Sequence, residues 1–410
     1  MKFNKLSQLF LVSAVGLILA ALMTACQLVT VDYVFVACSA GSGSGSAGQI
    51  ETYAVDSESG VLRTAAAAVS SGGVSPVAMA VTTDYANLYV LNQGNNSIVH
   101  FSIASNGVLT KKDSVTMATT PVSVAVNTAG TYLYVVSGTS SATLTEYALS
   151  SGAIGSVVAT QTLTLAGYPS DTIVPTGVAI LANNTTVQGA AVFVTAYDQS
   201  VYNPGGSTKS GDDANPGWVF SFAIGSGGAL TAATGSPYEA GVKPSAIVTT
   251  PTNEYVYVTD WASNELIGYS IQDGSRLSFL VNGPFKTGNE PTAITIDPRG
   301  KFIYVTNGLD SSVSAYAIDL TTGTPASAMS ATSGSANGTD TQPVAVVVDP
   351  ALGRFVYTAN QLGNSISGFM LNPTAGTLNA NQATPYPTGA NPTALVTVPH
   401  GNHSVQAVNP

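Results

Sequence analysis

The sequence predicts an all-β fold, a single seven-bladed β-propeller with four antiparallel strands per blade and one blade closed jointly by the N- and C-termini. Three observations predict it. Of 410 residues, 45% are hydrophobic and only 8% charged, with 41 glycines; such a composition favours strands and turns over helices. A unit with a period of about 50 residues recurs along nearly the whole chain, which marks a repeat architecture. The two ends carry complementary parts of that unit.

The unit is clearest at 291–318, PTAITIDPRGKFIYVTNGLDSSVSAYAI. Three short apolar runs, TAITI, FIYVT and SVSAYAI, are divided by Asp297-Pro298-Arg299-Gly300 and then by the turn that begins Asn307-Gly308. A proline leads the first strand at Pro76, Pro121, Pro175, Pro244, Pro291, Pro343 and Pro392. The second strand carries an aromatic at Tyr89, Tyr134, Phe193, Tyr257, Tyr304 and Tyr357. The third carries its own at Tyr53, Phe101, Tyr147, Phe222, Tyr269, Tyr316 and Phe369. A fourth strand follows a glycine turn in most copies, as at Gly60-Val61-Leu62, Gly107-Val108-Leu109 and Gly376-Thr377-Leu378.

A lone four-stranded sheet cannot bury both faces, whereas sheets stacked around an axis can. The first strands (VAMAV, VSVAV, TAITI, VAVVV, TALVT) are small and apolar, which suits the crowded innermost position around a channel. The N-terminal copy begins at its second strand, 33–37, and the C-terminal copy has Pro392 and TALVT but no third or fourth strand. Joined, they complete a seventh blade and remove the open edges of a linear array. Residues 404–409 also read as a second strand and compete with 33–37 for that place.

At the N-terminus Lys2 and Lys5 precede an apolar run over 9–23, then Thr24-Ala25-Cys26. A basic start, an apolar stretch and small residues at the break predict an export signal. The Cys after Thr-Ala resembles the lipobox of bacterial lipoproteins, which implies acylation of Cys26 and a membrane-anchored protein of the cell envelope. The expected organisation is a signal peptide at 1–25, a short tether at 26–30 and the propeller at 31–410.

The formal charge is −10, and no basic cluster exceeds Lys111-Lys112. Nucleic acid is therefore not an expected partner, since phosphate neutralisation needs a basic surface. With Cys26 acylated, Cys38 is the sole remaining thiol and reads as a small buried residue. No Cys/His spacing suits zinc, and no metal or other cofactor is expected; the acidic stretch 211–215 lacks the alternation of a calcium loop. Nothing points beyond a monomer.

The segment Tyr304-Val305-Thr306-Asn307, with Tyr257-Val258-Thr259-Asp260 and Tyr357-Thr358-Ala359-Asn360 as variants, resembles the repeat of YVTN-type propellers and of the lactonase family of seven-bladed propellers. The resemblance covers about residues 31–410. That family includes 6-phosphogluconolactonases and carboxymuconate-cyclising enzymes, so hydrolysis of a sugar lactone is one activity it implies. The cyclising enzymes' His, Arg and Glu around the channel have no counterpart trio here.

In a propeller, the loops from strand two to three and from strand four to one share one rim, the default ligand site. The four-to-one loops supply Glu239 and Glu290 as candidate catalytic carboxylates, and Lys243 and Lys286 as candidate anion holders. Glu239/Lys243 and Lys286/Glu290 stand in adjacent repeats and are expected to form two mixed-charge pairs across neighbouring blades. The two-to-three loops add Asp260, Asn307 and Asn360, and the long loop at 196–217 adds Tyr197 and Asp198. The four arginines fall elsewhere, so a phosphorylated ligand lacks its usual cradle. Two function classes follow: a module binding a small molecule, glycan or protein partner at this rim, or a lactone hydrolase.

Overall fold

The structure is a computed structural model that describes residues 29–39, 47–181, 190–202, 216–273, 275–329 and 337–401. The expected signal peptide, Cys26, the segments at 211–215 and 404–409, and the middle of the long loop lie outside the described residues.

Seven antiparallel sheets stand around a central axis. Blade 1 joins the chain ends: Pro392–Pro399 is its innermost strand, followed outward by Thr30–Cys38, Ala47–Asp56 and Leu62–Val74. Blade 2 comprises Pro76–Val81, Asn87–Asn92, Ser97–Ile103 and Leu109–Thr116. Blade 3 comprises Pro121–Val126, Tyr132–Ser137, Thr143–Ser150 and Ala153–Thr162. Blade 4 comprises Ile173–Leu181, Ala190–Asp198, Gly217–Ile224 and a fourth strand split into Leu230–Ala232 and Tyr238–Glu239. Blade 5 comprises Pro244–Thr249, Tyr255–Asp260, Glu265–Gln272 and the split pair Arg276–Phe279 and Phe285–Lys286. Blade 6 comprises Pro291–Ile296, Phe302–Asn307, Ser312–Ile318 and Pro325–Met329. Blade 7 comprises Pro343–Val348, Phe355–Asn360, Ser365–Leu371 and the split pair Leu378–Ala380 and Tyr386–Pro387.

The innermost strands touch in an unbroken ring, blade 7 to blade 1 to blade 2 included. Thr30–Cys38 pairs on one side with Ala47–Asp56 and on the other with Pro392–Pro399, so 33–37 holds the contested second-strand place. The tyrosines of the second strands and the aliphatic residues beside them are fully buried between adjacent sheets, where each blade hides a face of the next.

Local chemistry explains the repeat's residues. In six blades the leading proline pairs with the last residue of strand two, and the ladder bulges directly after it, where the missing N–H is harmless. In three blades the next side chain carries a hydroxyl that bridges blades: Ser245 donates to the Pro291 carbonyl at 2.6 Å, Thr292 to Pro343 at 2.7 Å and Thr393 to Pro76 at 2.7 Å. The second-strand tyrosine reaches the same neighbour further out from the axis. Tyr89, Tyr257, Tyr304 and Tyr357 donate to the carbonyls of Gly152, Gly323, Gly376 and Gly60 in the three-to-four turn of the following blade, at 2.6, 2.6, 2.9 and 2.7 Å. Those glycines sit at φ between +67° and +84°, where a side chain would be strained. Tyr357 to Gly60 spans the closure, so the ring is latched where the chain ends meet.

Blades 3 and 4 vary the latch. Tyr134 donates instead to Glu146, which stands against Gly228 of blade 4. Phe193 has no hydroxyl, and Ser221 on the neighbouring strand bridges to the Ser275 carbonyl at 2.5 Å.

Candidate functional site at the channel mouth

The residue before each innermost strand's opening proline occupies an equivalent place in every blade. Ser75, Thr120, Val174, Lys243, Glu290, Gln342 and Asn391 are all partly exposed at the start of those strands and ring the mouth of the channel. In six of the seven, the carbonyl accepts from the first amide of the two-to-three turn, for example Gln93 to Ser75 at 2.9 Å and Trp261 to Lys243 at 2.9 Å. Only two of the seven side chains are charged, Lys243 and Glu290, and they lie in adjacent blades.

Lys243 is half-buried among aromatic rings. Its Nζ lies 4.2 Å from the ring centre of Trp261, 5.3 Å from that of Tyr202 and 5.6 Å from that of Tyr197. Tyr197 and Tyr202 meet edge to face at 5.3 Å. An ammonium over three π faces gains about 0.5–2 kcal/mol per good contact while losing hydration. Burial lowers the Lys243 pKa from the ordinary lysine value, and the Glu290 carboxylate opposes that shift. Among the described residues, Nζ makes no ion pair within 4 Å.

Glu290 is held by its backbone. Its N–H donates to Asn264 Oδ1 at 2.8 Å and its carbonyl accepts from Gly308 at 2.8 Å, with φ at +53°. Ser75, Gln342 and Asn391 share that left-handed conformation, so the backbone is architectural and aims whatever side chain stands there.

Four expected ligand contacts turn out to lie at the end of strand two, three of them, Asp260, Asn307 and Asn360, opposite the leading proline and Asp198 two residues beyond that point. Asp198, Asp260, Asn307 and Asn360 are at most 2% exposed. Asp260 accepts the amides of Val242, Lys243 and Ala262 at 2.7, 2.9 and 3.1 Å, tying the four-to-one loop to the two-to-three turn. Asn307 accepts from the Gly288 amide at 3.1 Å and donates to Ser312 and Ser314, both at 3.0 Å. Asn360 donates in the same way to Ser365 and Ser367 at 3.0 Å. Asp198 accepts from the Ser200 amide at 2.8 Å and faces Asp171; burial first, and that second carboxylate next, raise its pKa. These four are buried and brace the rim through those bonds. Cys38 holds the equivalent place in blade 1, buried, with its thiol pushed up to about 12 by burial.

The expected cross-blade pairs are rearranged. Lys286 bonds Glu265 at 2.7 Å within its own blade, on an exposed outer strand where such a pair contributes little. Glu239 lies on the outer strand beside Trp218, exposed, and its carbonyl accepts from the Tyr269 hydroxyl. It lines a surface cleft of about 300 Å³ with Glu265, Phe279 and Leu280. The mouth therefore keeps Lys243, Glu290 and Tyr197 of the expected residues, and adds Tyr202 and Trp261. Trp261 was missed, although its position, first after the residue opposite the leading proline, holds Ser39, Gln93, Gly138, Gly308 and Gln361 in other blades and the aromatic Tyr197 in blade 4. An aromatic there is the signal.

Arg299 and Arg354 stand at the opposite rim, in one-to-two turns; Arg299 is spent on Asp297 at 2.6 Å and the Gly353 carbonyl at 2.8 Å. Among the described residues, no three His, Cys, Asp or Glu side chains gather as a metal site. The seven equivalent positions thus offer one cation and one carboxylate, beside the aromatic wall of Tyr197, Tyr202 and Trp261.

A family model described as lactonase, 7-bladed β-propeller, matches residues 71–166 and 239–407. The unmatched stretch between them contains most of blade 4, including Tyr197 and Tyr202. No curated protein matches the chain in sequence. Solved structures match over most of its length. The periplasmic gluconolactonase of Pseudomonas aeruginosa is 17% identical, with TM-score 0.70, covering 91% of this chain and 100% of that one. A candidate 6-phosphogluconolactonase from Bacteroides uniformis is 16% identical, with TM-score 0.70, covering 90% and 100%. A hypothetical selenium-binding protein from Sulfolobus tokodaii is 12% identical, with TM-score 0.63, covering 92% and 96%. At such identities the likeness is one of fold.

Proposed function

The chain belongs to the lactonase family of seven-bladed β-propellers, and from that premise we propose that it opens an unphosphorylated sugar lactone at the channel mouth. The observation that carries this reading is the pairing of Lys243 and Glu290 as the only charged side chains among seven equivalent mouth positions. Glu290 takes a proton from water, whose oxygen bonds to the lactone carbonyl carbon. The Lys243 ammonium faces the oxygen on which negative charge collects. Collapse of that intermediate breaks the bond to the ring oxygen, which receives the proton from Glu290, and the product is a hydroxy acid. The neutral side chains around the rest of the mouth suit hydroxyl groups. A phosphate would demand more cation than one lysine already shared with three rings.

The test is proton release from glucono-δ-lactone or galactono-γ-lactone above the spontaneous rate. Lys243→Met and Glu290→Gln should each lower kcat by roughly 10²-fold or more, the scale of losing one oxyanion donor or one general base. Glu239→Gln should leave it unchanged. Turnover that survives both mouth variants removes this reading. The aromatic wall favours a second reading, binding of a sugar or glycan without chemistry; saturable binding with no turnover across a lactone panel selects it.

A further inference from the structure

The described chain begins on the rim opposite the mouth. Thr30–Cys38 is a second strand, so it runs from the one-to-two turns towards the two-to-three turns that frame the mouth. Two hydrogen bonds pin its start to the far rim. The Val29 carbonyl accepts from Ser57 at 2.9 Å, in the three-to-four turn of the same blade, and the Val31 carbonyl accepts from His400 at 2.9 Å, just past the innermost strand. The rings of Tyr33 and His400 also meet edge to face there, at 5.3 Å.

The basic and apolar leader ending in Thr24-Ala25-Cys26 predicts acylation of Cys26, and only Gln27 and Leu28 separate that residue from Val29. Three residue steps reach at most about 10 Å even when fully extended. A folded chain of this size has a radius of gyration of about 21 Å, so the leash is shorter than the body it holds. We propose that the propeller rests on a lipid surface by its one-to-two and three-to-four turns, anchored through Cys26, with the channel mouth facing away from the membrane. Exposed apolar side chains on that rim, Val29, Val108 in blade 2 and Leu320 in blade 6, then lie towards the headgroups. The orientation holds whatever the mouth binds, because it depends on where the leash leaves the fold.

The test uses the full chain, expressed with its leader, purified with its native N-terminus and reconstituted into phosphatidylethanolamine–phosphatidylglycerol vesicles carrying a nitroxide headgroup lipid. Leu320→Cys reports the anchor rim and Leu309→Cys the mouth rim; both positions are exposed, whereas Cys38 is buried and stays unlabelled. A fluorophore at Leu320→Cys should be quenched several-fold more than one at Leu309→Cys. A long Gly/Ser insertion after Cys26 should erase the difference, and Cys26→Ser should release the protein from vesicles. Equal quenching without the insertion, stronger quenching at the mouth, or an N-terminal peptide whose mass shows no acyl chain overturns the proposal.

Discussion

Replacing Tyr304 by Phe isolates one inter-blade latch. The ring stays, so packing is unchanged, and only the hydroxyl that donates to the Gly376 carbonyl at 2.9 Å is lost. Tyr304 is fully buried, so water cannot take over as donor. A buried carbonyl stripped of its partner costs about 1–3 kcal/mol. For 410 residues, an unfolding entropy of about 2 cal/mol/K per residue gives roughly 0.9 kcal/mol/K, so the Tm should fall by about 1–3.5 °C. Gly376→Ala attacks the same contact from the other side: its φ is +73° and a Cβ would meet the Phe302 ring at 2.3 Å. It should cost more than Tyr304→Phe, and the double variant should cost less than the sum, since both break one junction. Differential scanning calorimetry of the four proteins closes the cycle. A Tm for Tyr304→Phe equal to that of the parent, or strictly additive losses, would refute the claim that the hydroxyl joins the blades.

Asp260→Ala removes the acceptor of four backbone amides and should cost about 3 kcal/mol or more in urea unfolding; it should also impair the mouth, because Lys243 and Trp261 flank those amides. Asp260→Asn, which keeps an acceptor, should lose less of both. Asp32, fully buried and facing Asp349 at the junction of blades 1 and 7, has its pKa raised by burial and by that carboxylate from 3.8 to about 9. The folded chain therefore keeps a proton that the unfolded chain releases, so its stabilising contribution is complete below the unfolded pKa and is lost as pH rises towards 9. Chemical denaturation at pH 5 and pH 8 should show stability falling more steeply in the parent than in Asp32→Asn; identical slopes count against the buried acid pair. Glu146, raised to about 7 by burial, adds to the same trend, and Glu146→Gln should flatten the part of it below about pH 7, read from the same denaturation series.

Much of the fold was legible because repetition averages out local ambiguity. A proline, an aromatic and, in most copies, a glycine turn recurring at similar offsets state the blade more firmly than any one copy could. The partners of these residues were not legible. The Tyr304 hydroxyl and the Gly376 carbonyl lie 72 residues apart, and nothing local says that the second strand of one blade reaches the outer turn of the next. The split fourth strands follow a pattern that could have been read, Pro237-Tyr238 with Gly241, Pro284-Phe285 with Gly288, and Pro385-Tyr386 with Gly389. It explains why Glu239 and Lys286, which sit inside that pattern, belong to the outer edge.

By itself the sequence determined the seven sheets, their strand order and the sharing of one blade by both termini, because apolar periodicity and turn chemistry act over a few residues. Only the tertiary structure decided which polar residues face the mouth. Asp260, Asn307 and Asn360 look like rim ligands in one dimension, yet their atoms are consumed by the loops they pin. Lys243, Glu290, Tyr197, Tyr202 and Trp261 come from three different blades and meet only because the ring closes at a radius that no local pattern encodes.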